Sequence, residues 1–214
     1  MMSTCNKTLI IACGALAREL SEVVSINNLK HIEVECLPAS YHNSPDKIPA
    51  ALEERILKHS ADYEQIFVGY ADCGTGGKVD KVCEKFGLKR LSGAHCYEFF
   101  AGRDNFADLQ ENNIGSFYLT DFLVKHFERL VIKALWLDTH PELLDEYFGN
   151  YTQVVYLAQT DNPELENLAR EAAKKLDLEL VIKKTGYGDL EPEIILLSQN
   201  QNKSKLNDLV SENS

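Results

Sequence analysis

Residues 65–87, QIFVGYADCGTGGKVDKVCEKFG, contain the strand, turn and helix on which the fold prediction depends. The apolar run 65–70 is typical of a buried strand. The turn that follows contains Gly74, Gly76 and Gly77. Residues 78–86 then repeat apolar side chains at helical spacing up to Gly87, a residue typical of a helix end. A strand, a glycine turn and a helix in this order predict one unit of a parallel α/β sheet.

The same pattern extends in both directions along the chain. Apolar runs predict further strands at 8–13, 32–37, 89–91, 153–158, 178–183 and 194–197. Apolar residues at helical spacing predict helices at 15–24, 48–57 and 163–176, and two more within 117–148.

These repeated strand–helix–strand units favour the α/β class, with a mainly parallel sheet flanked by helices. We expect a single α/β domain over residues 1–197, followed by a polar tail at 198–214. Three βαβ-like pseudo-repeats are expected within it, at about 8–60, 65–116 and 150–197.

Composition narrows the classes of function. The 214 residues include 22 Lys and Arg against 33 Asp and Glu, a net charge of −11, which argues against nucleic acid as a partner. With 44% hydrophobic residues the chain is expected to fold. No apolar run is long enough to span a membrane, and the N-terminus has no secretion-signal pattern. We therefore expect a cytoplasmic protein with reduced cysteines.

Four of the six cysteines lie at or just after predicted strand ends. They are Cys13, Cys36, Cys73 and Cys96. The carboxyl ends of parallel strands share one edge of the sheet, where ligands bind, so these thiols are expected to converge. Thiolates and imidazole suit zinc or an iron–sulfur cluster.

The expected metal ligands are Cys13, Cys73, His95 and Cys96. Free cysteine is a common core residue, so the alternative for Cys13 and Cys36 is that they are small buried side chains and not ligands. Whether Cys36 and His42 join the site is left open.

The glycine turn suggests a second kind of chemistry beside the thiols. Free N–H groups of Gly74, Thr75, Gly76 and Gly77 are expected to bind an anionic substrate group, with help from Arg103.

Cys73 lies close to the following helix, so a lowered thiol pKa is expected there. It is the candidate nucleophile, with His95 as base and Glu98 orienting that imidazole. The alternative is a plain tight turn between strand and helix.

Several motifs together resemble the family of domains of unknown function numbered 1638. They are IACGAL at 11–16, CLPA at 36–39 with His42-Asn43, GYADCGTGG at 69–77, HCYEFFAG at 95–102, YLTDFL at 118–123, GNY at 149–151 and TGYG at 185–188. The resemblance runs from about residue 8 to about residue 197. It implies a gene context beside corrinoid-dependent methyltransferases for methylated amines, and no assigned activity.

The sequence leaves three candidate functions. The leading expectation is a Cys/His metal-site protein, an enzyme of methyl or one-carbon metabolism acting on a small anionic substrate. The second is a metal-free accessory protein that handles a corrinoid or assists a methyltransferase. The third is a thiol enzyme with Cys73 as nucleophile. A corrinoid protein or a methyltransferase is the expected macromolecular partner.

Overall fold

The computed structural model describes residues 7–112 and 114–199. Contacts divide the chain into two compact units: the first runs up to Cys96 and resumes at Leu190, and the second is Tyr97–Asp189. In the described part of the chain, no helix combines the length and the apolar character needed to cross a bilayer. The prediction of a single domain with three pseudo-repeats stays a prediction.

The first unit is built on a four-stranded parallel sheet. Its strands are β1 (Thr8–Cys13), β2 (Ile32–Leu37), β3 (Gln65–Gly69) and β4 (Lys89–Arg90), in the order β2-β1-β3-β4. The central strand β1 is buried along nearly its whole length, which explains its continuous apolar run. Because β1 and β3 run in the same direction, Cys13 and the residues after Gly69 come to one edge.

Helices cover the sheet of the first unit. They are α1 (Ala17–Ile26), α2 (Ile48–His59) and α3 (Lys78–Phe86). Leu52 and Ile56 of α2 and Val79 of α3 are fully buried beside Ile11 and Val68 of the sheet. Burial of each such side chain is worth roughly 1.5–3 kcal/mol, so the apolar stripes read from the sequence are also the main stabilising contacts.

The short helix α4 (Cys96–Ala101) leads into the second unit. That unit has a three-stranded parallel sheet, β5 (Ser116–Thr120), β6 (Gln153–Ala158) and β7 (Glu179–Lys184), in chain order. Its helices are α5 (Arg103–Asn112), α6 (Asp121–Lys125), α7 (Leu144–Phe148) and α8 (Pro163–Lys175). A π-helical turn, Glu128–Ile132, follows α6.

A buried carboxylate joins two strand ends of the second unit. Asp121 accepts hydrogen bonds from the Tyr156 hydroxyl at 2.7 Å, the Gln159 N–H at 3.0 Å and the Thr160 hydroxyl at 2.5 Å. Three donors compensate for the removal of the carboxylate from water. Asp121 therefore links the ends of β5 and β6 through hydrogen bonds.

The last described helix, α9 (Leu190–Gln199), returns to the first unit. Here the structure corrects one predicted element, because 194–197 is helical and not a strand. Leu190, Ile194 and Leu197 are buried at helical spacing, which a four-residue apolar run cannot reveal.

A second correction concerns the start of the segment 117–148. Residues 116–120 form β5, and the first helix begins only at Asp121, where the Thr120 hydroxyl caps it by accepting the Leu123 N–H at 3.3 Å. The α/β class and the parallel strands flanked by helices are confirmed, with the strands divided between two sheets.

Candidate functional site

Three cysteines of the first unit line one narrow cavity at the carboxyl edge of its sheet. Cys13 ends β1, Cys73 follows β3 and Cys96 begins α4. The cavity measures about 30 Å³, enough for one or two atoms the size of water, and its walls are mostly apolar. His42 and Tyr70 also line it, and we call this site the thiol pocket.

Two glycines let the backbone close around the thiol pocket. A Cβ atom on Gly69 would lie 2.6 Å from the Cβ of Ala12, its register partner on β1. A Cβ on Gly14 would lie 2.8 Å from the carbonyl oxygen of Leu37. Real Cβ atoms are not found that close to other atoms, so both positions require glycine for a close approach of backbones.

The Cys13 thiol receives a hydrogen bond while lying out of water. Its sulfur accepts the Ala15 N–H at 3.5 Å, and the Tyr70 hydroxyl interacts with it. Burial nevertheless raises the pKa of Cys13, because these two interactions only partly offset the loss of hydration of the charged form.

Tyr70 lines the thiol pocket and is absent from the site residues that the sequence predicts. Its side chain is 1% exposed, and its hydroxyl has no hydrogen bond of ordinary geometry to any side chain or backbone group in the described chain. Burial and the neighbouring Cys13 raise its pKa. One feature of the sequence could have identified it: an aromatic residue with a hydroxyl group stands directly after a buried strand, two residues from Val68 and on the same face.

Cys73 is positioned by a strained turn. Its φ of 50° lies in the left-handed region, which a residue with a Cβ enters at a cost of about 1–2 kcal/mol. Its N–H donates to the Ala94 carbonyl at 2.8 Å, and the Asp72 N–H donates to Gly93 at 3.2 Å. These bonds bring the segment ending in Cys96 alongside Cys73, which is how residues 23 positions apart meet.

The expectation of a lowered Cys73 pKa is wrong. Burial, and then the neighbouring Cys13, raise the pKa of Cys73 to about 12, although the N–H groups of Ala71 and Cys96 donate to its sulfur. The helix α3 begins only at Lys78, five positions further on, so its N-terminus does not stabilise the thiolate.

The donors of the glycine turn are directed at a protein carboxylate. Asp72 accepts the Gly77 N–H at 2.7 Å, the Gly76 N–H at 3.2 Å and the Thr75 hydroxyl at 2.8 Å. Burial opposes ionisation of Asp72, but these bonds outweigh it and lower its pKa. Substrate binding by Gly74–Gly77 stays a prediction, and an anion there would compete with Asp72.

The sequence leaves open whether His42 and Cys36 belong to the site, and the structure places the two residues differently. His42 lines the thiol pocket, and its pKa is lowered by burial and by the neighbouring His95, although the residue as a whole is in the exposed class. His95 itself is exposed. Cys36 pairs in register with Ala12 while Cys13 pairs with Leu37, so Cys36 lies on the opposite face of the sheet. Burial raises its pKa to about 11.

The remaining predicted site residues lie in the second unit. Glu98 is on α4, and its carboxylate is 3.7 Å from the guanidinium of Arg103 at the start of α5. Their predicted roles, orienting His95 and binding an anion, stay predictions.

A protein site for a metal ion such as zinc requires at least three ligating side chains close together. Among residues 7–112 and 114–199, no three His, Cys, Asp or Glu side chains stand in positions that would hold a metal ion. None of the five cysteines in these ranges is in a disulfide: Cys13, Cys36, Cys73, Cys83 and Cys96.

Comparison with known proteins assigns a family and no activity. A family model described as "Protein of unknown function (DUF1638)" matches residues 36–194, most of the chain. No curated protein and no solved structure matches. The chain therefore belongs to the DUF1638 family.

Proposed function

We propose that this member of the DUF1638 family binds a zinc-type metal ion in the thiol pocket and uses it in methyl or one-carbon chemistry on a small anionic substrate. One observation carries the proposal: three thiols and an imidazole surround a cavity of about 30 Å³. Sulfur and nitrogen ligands are those that zinc prefers.

The size of the thiol pocket favours a single ion. About 30 Å³ accommodates an ion with a bound water, whereas an organic cofactor needs several hundred Å³. An iron–sulfur cluster ordinarily takes four cysteine ligands, and in the described chain three cysteines line the pocket. We therefore favour zinc over a cluster.

The hydrogen bonds around the sulfurs support thiolate character on metal binding. Backbone N–H groups of Ala15, Ala71 and Cys96 donate to Cys13 or Cys73, and such bonds stabilise a charged sulfur. Without a cation, burial keeps both thiols protonated. A bound cation would supply the missing charge, so ligation and proton release are expected together.

Ligation would require side-chain movement, because no three ligating groups of the described residues stand in position for a metal ion. Cys13 and Cys73 already interact electrostatically, and the third ligand would come from Cys96 or His42 by rotation about χ1. The Tyr70 hydroxyl is available to hydrogen-bond a ligand atom in the pocket.

When bound, the metal would supply Lewis-acid activation of a thiol at neutral pH. In this proposal the Cys73 thiol gives up its proton to His95, exposed beside the pocket, when the metal binds; the Cys73 sulfur then bonds to the methyl group as the bond from methyl to its carrier breaks, and the carrier leaves with that electron pair. A corrinoid protein or methyltransferase is the proposed methyl-carrying partner. A cytoplasmic location accords with the free cysteines.

The test is the metal content of protein purified without oxygen or chelator. Wild type and Cys83→Ala are expected to carry about one zinc per chain, because Cys83 lies in the core and does not line the thiol pocket. Cys13→Ala and Cys73→Ala are expected to lose it.

A titration of metal-free protein with Co²⁺, followed by its sulfur-to-metal absorption, gives a second readout that does not depend on recovery during purification. Absence of metal from wild type in both measurements would reject the metal site and leave the metal-free accessory function. Equal metal content in all four proteins would reject the assigned ligands.

A further inference from the structure

Trp136, the single tryptophan of the chain, stands at the surface of the second unit. It is 62% exposed. The indole is a large apolar group, and tryptophan is ordinarily buried over most of its area. The backbone around Trp136 shows that this exposure is built into the fold.

The backbone at Trp136 adopts a conformation that suits glycine and disfavours a bulky side chain. Its φ of 61° lies in the left-handed region. The Trp136 N–H donates to the Lys133 carbonyl at 3.2 Å, and the Leu137 N–H donates to the Ile132 carbonyl at 2.9 Å. These two bonds form a Schellman motif, the helix ending in which the left-handed position is usually occupied by glycine.

The second unit does not need an indole at this position in order to fold. Leu137 supplies the apolar anchor of the Schellman motif, because it is 8% exposed and belongs to the core cluster of the unit. Trp136 therefore strains the backbone without burying most of its own surface. Strain of this kind is concentrated at ligand and switch sites, and tryptophan is enriched at the energetic centre of protein interfaces.

Three exposed cations, spaced four residues apart, precede Trp136. Lys125 ends α6, Arg129 lies in the π-helical turn and Lys133 directly follows that turn. Burial, and then the charges of Arg129 and Lys125, lower the pKa of His126, so these two cations act on the same place. We call Lys125, Arg129, Lys133 and Trp136 the tryptophan patch.

The tryptophan patch is positively charged, although the chain has a net charge of −11. Among the residues that the structure describes, none forms an ion pair with the three cations. Glu128 lies in the same segment, but it is paired with Lys175 of α8. Asp138, two positions after Trp136, leaves three positive charges against one negative charge. The patch therefore complements an acidic partner surface.

We propose that the tryptophan patch docks an acidic segment of a partner protein, whose carboxylates pair with the three cations and whose apolar side chain packs against the Trp136 indole. This inference does not depend on the function proposed for the thiol pocket. A few acidic residues around one apolar residue are enough to cover the patch. Salt-sensitive binding is expected, because exposed ion pairs are screened.

A protein segment fits the tryptophan patch better than an anionic bilayer or a nucleic acid does. Both of those surfaces carry many negative charges over a large area, and they would also face the acidic remainder of the chain. A short segment can contact the patch alone, and charges further away than the screening length, about 8 Å at physiological salt, repel it little.

The test uses the full-length protein and the fluorescence of Trp136, which no other tryptophan obscures. The probes are three short glutamate-rich peptides that carry a Leu, a Met or a Phe beside their carboxylates. Peptides with Lys in place of Glu, and vesicles of phosphatidylserine, are the comparison probes. At least one glutamate peptide is expected to shift the Trp136 emission to shorter wavelength, because the indole leaves water, and to bind less tightly as salt is raised.

Variants separate docking from a structural role. Binding of a fluorescein-labelled glutamate peptide, followed by anisotropy, should weaken about threefold in Arg129→Gln and in Lys133→Gln, and about tenfold in Trp136→Gly. Lys81→Gln, at an exposed position of α3 in the first unit, is the matched control and should bind as wild type does. Trp136→Gly relieves the left-handed strain, so it should unfold at a urea concentration no lower than wild type.

The proposal is overturned if no glutamate peptide shifts the emission, if the lysine peptides bind as tightly, or if Trp136→Gly and Arg129→Gln bind as Lys81→Gln does. Unfolding of Trp136→Gly at lower urea than wild type would make the indole a structural group. A shift caused by phosphatidylserine vesicles alone would assign the patch to a membrane, and one caused by raising the protein concentration alone would assign it to a second copy of the chain. Each of these results rejects the acidic segment.

Discussion

At the residue scale, burial dominates the chemistry of the first unit. Cys73 lies beside backbone donors that favour a thiolate, yet removal from water and the neighbouring Cys13 raise its pKa to about 12. Tyr70 shows the same balance: removing its hydroxyl from water costs free energy and raises its pKa, and no hydrogen bond of ordinary geometry in the described chain offsets that cost. Groups held at such a cost are typical of ligand sites.

We predict that metal-free protein resists alkylation at Cys73 near neutral pH. A pKa of about 12 against an ordinary 9.0 leaves roughly a thousandfold less thiolate at pH 7. Iodoacetamide labelling followed by peptide mass spectrometry at several pH values measures this. Labelling of Cys73 at neutral pH as fast as a free thiol would contradict it and favour the thiol-enzyme alternative.

The same shift predicts how stability changes with pH. Between about pH 9 and pH 12 the unfolded chain loses the Cys73 proton and the folded chain keeps it, so the free energy of unfolding falls as pH rises, by up to about 1.4 kcal/mol per unit. Urea unfolding at pH 8 and pH 10 should show a smaller loss for Cys73→Ser than for wild type. Equal losses would mean that Cys73 is not the titrating group.

At the element scale, the loop after β7 depends on one close backbone contact. Gly186 and Gly188 share a left-handed φ, of +57° and +52°, but only at Gly188 would a Cβ meet other atoms, the carbonyl oxygens of Phe99 and Phe100. The two positions therefore separate backbone strain from steric exclusion.

We predict that Gly186→Ala costs about 1–2 kcal/mol of unfolding free energy, the strain alone. Gly188→Ala should cost about 1–3 kcal/mol more, because α4 must shift to admit the methyl group. Chemical denaturation of both variants measures the difference. Equal costs would show that α4 yields easily at this contact.

At the scale of the whole molecule, each unit has its own core. The cluster of the second unit is drawn entirely from residues within 97–189, including Leu119, Tyr156 and Ala169. The cluster of the first unit is drawn from β1–β3, from Tyr70 directly after β3, and from the helices α2 and α3.

We predict that residues 97–189 expressed alone fold, because a core within one segment does not need the rest of the chain to bury it. Circular dichroism should show a helical fragment with a cooperative thermal transition. The same fragment with Ala169→Asp, which places a charge at a fully buried site, should have none. A wild-type fragment without a transition would show that the second unit depends on the first.

Part of the architecture could be predicted because local patterns carry it. Strand ends at Cys13 and Gly69, the turn at 72–77 and the apolar stripes of α3 and α8 are properties of short segments. The predicted helix at 117–120 and the predicted strand at 194–197 are wrong, because a short apolar run fits a strand or a buried helix equally well until its neighbours are known.

The candidate site could also be predicted from the sequence only in part. Convergence of Cys13, Cys73 and Cys96 on one cavity followed from parallel strands, which bring distant residues to one edge. The roles of Tyr70, His42 and Asp72 did not follow, because orientation, burial and hydrogen-bond partners arise only when elements pack.

The amino-acid order by itself determined which segments are apolar, where glycines permit sharp turns and which chemical groups terminate the strands. The tertiary structure alone decided that the strands form two sheets, that Asp72 occupies the donors of the glycine turn and that burial keeps the thiols protonated. The physical reason is that backbone preference acts over a few residues, whereas desolvation and charge interactions depend on every atom that folding brings near.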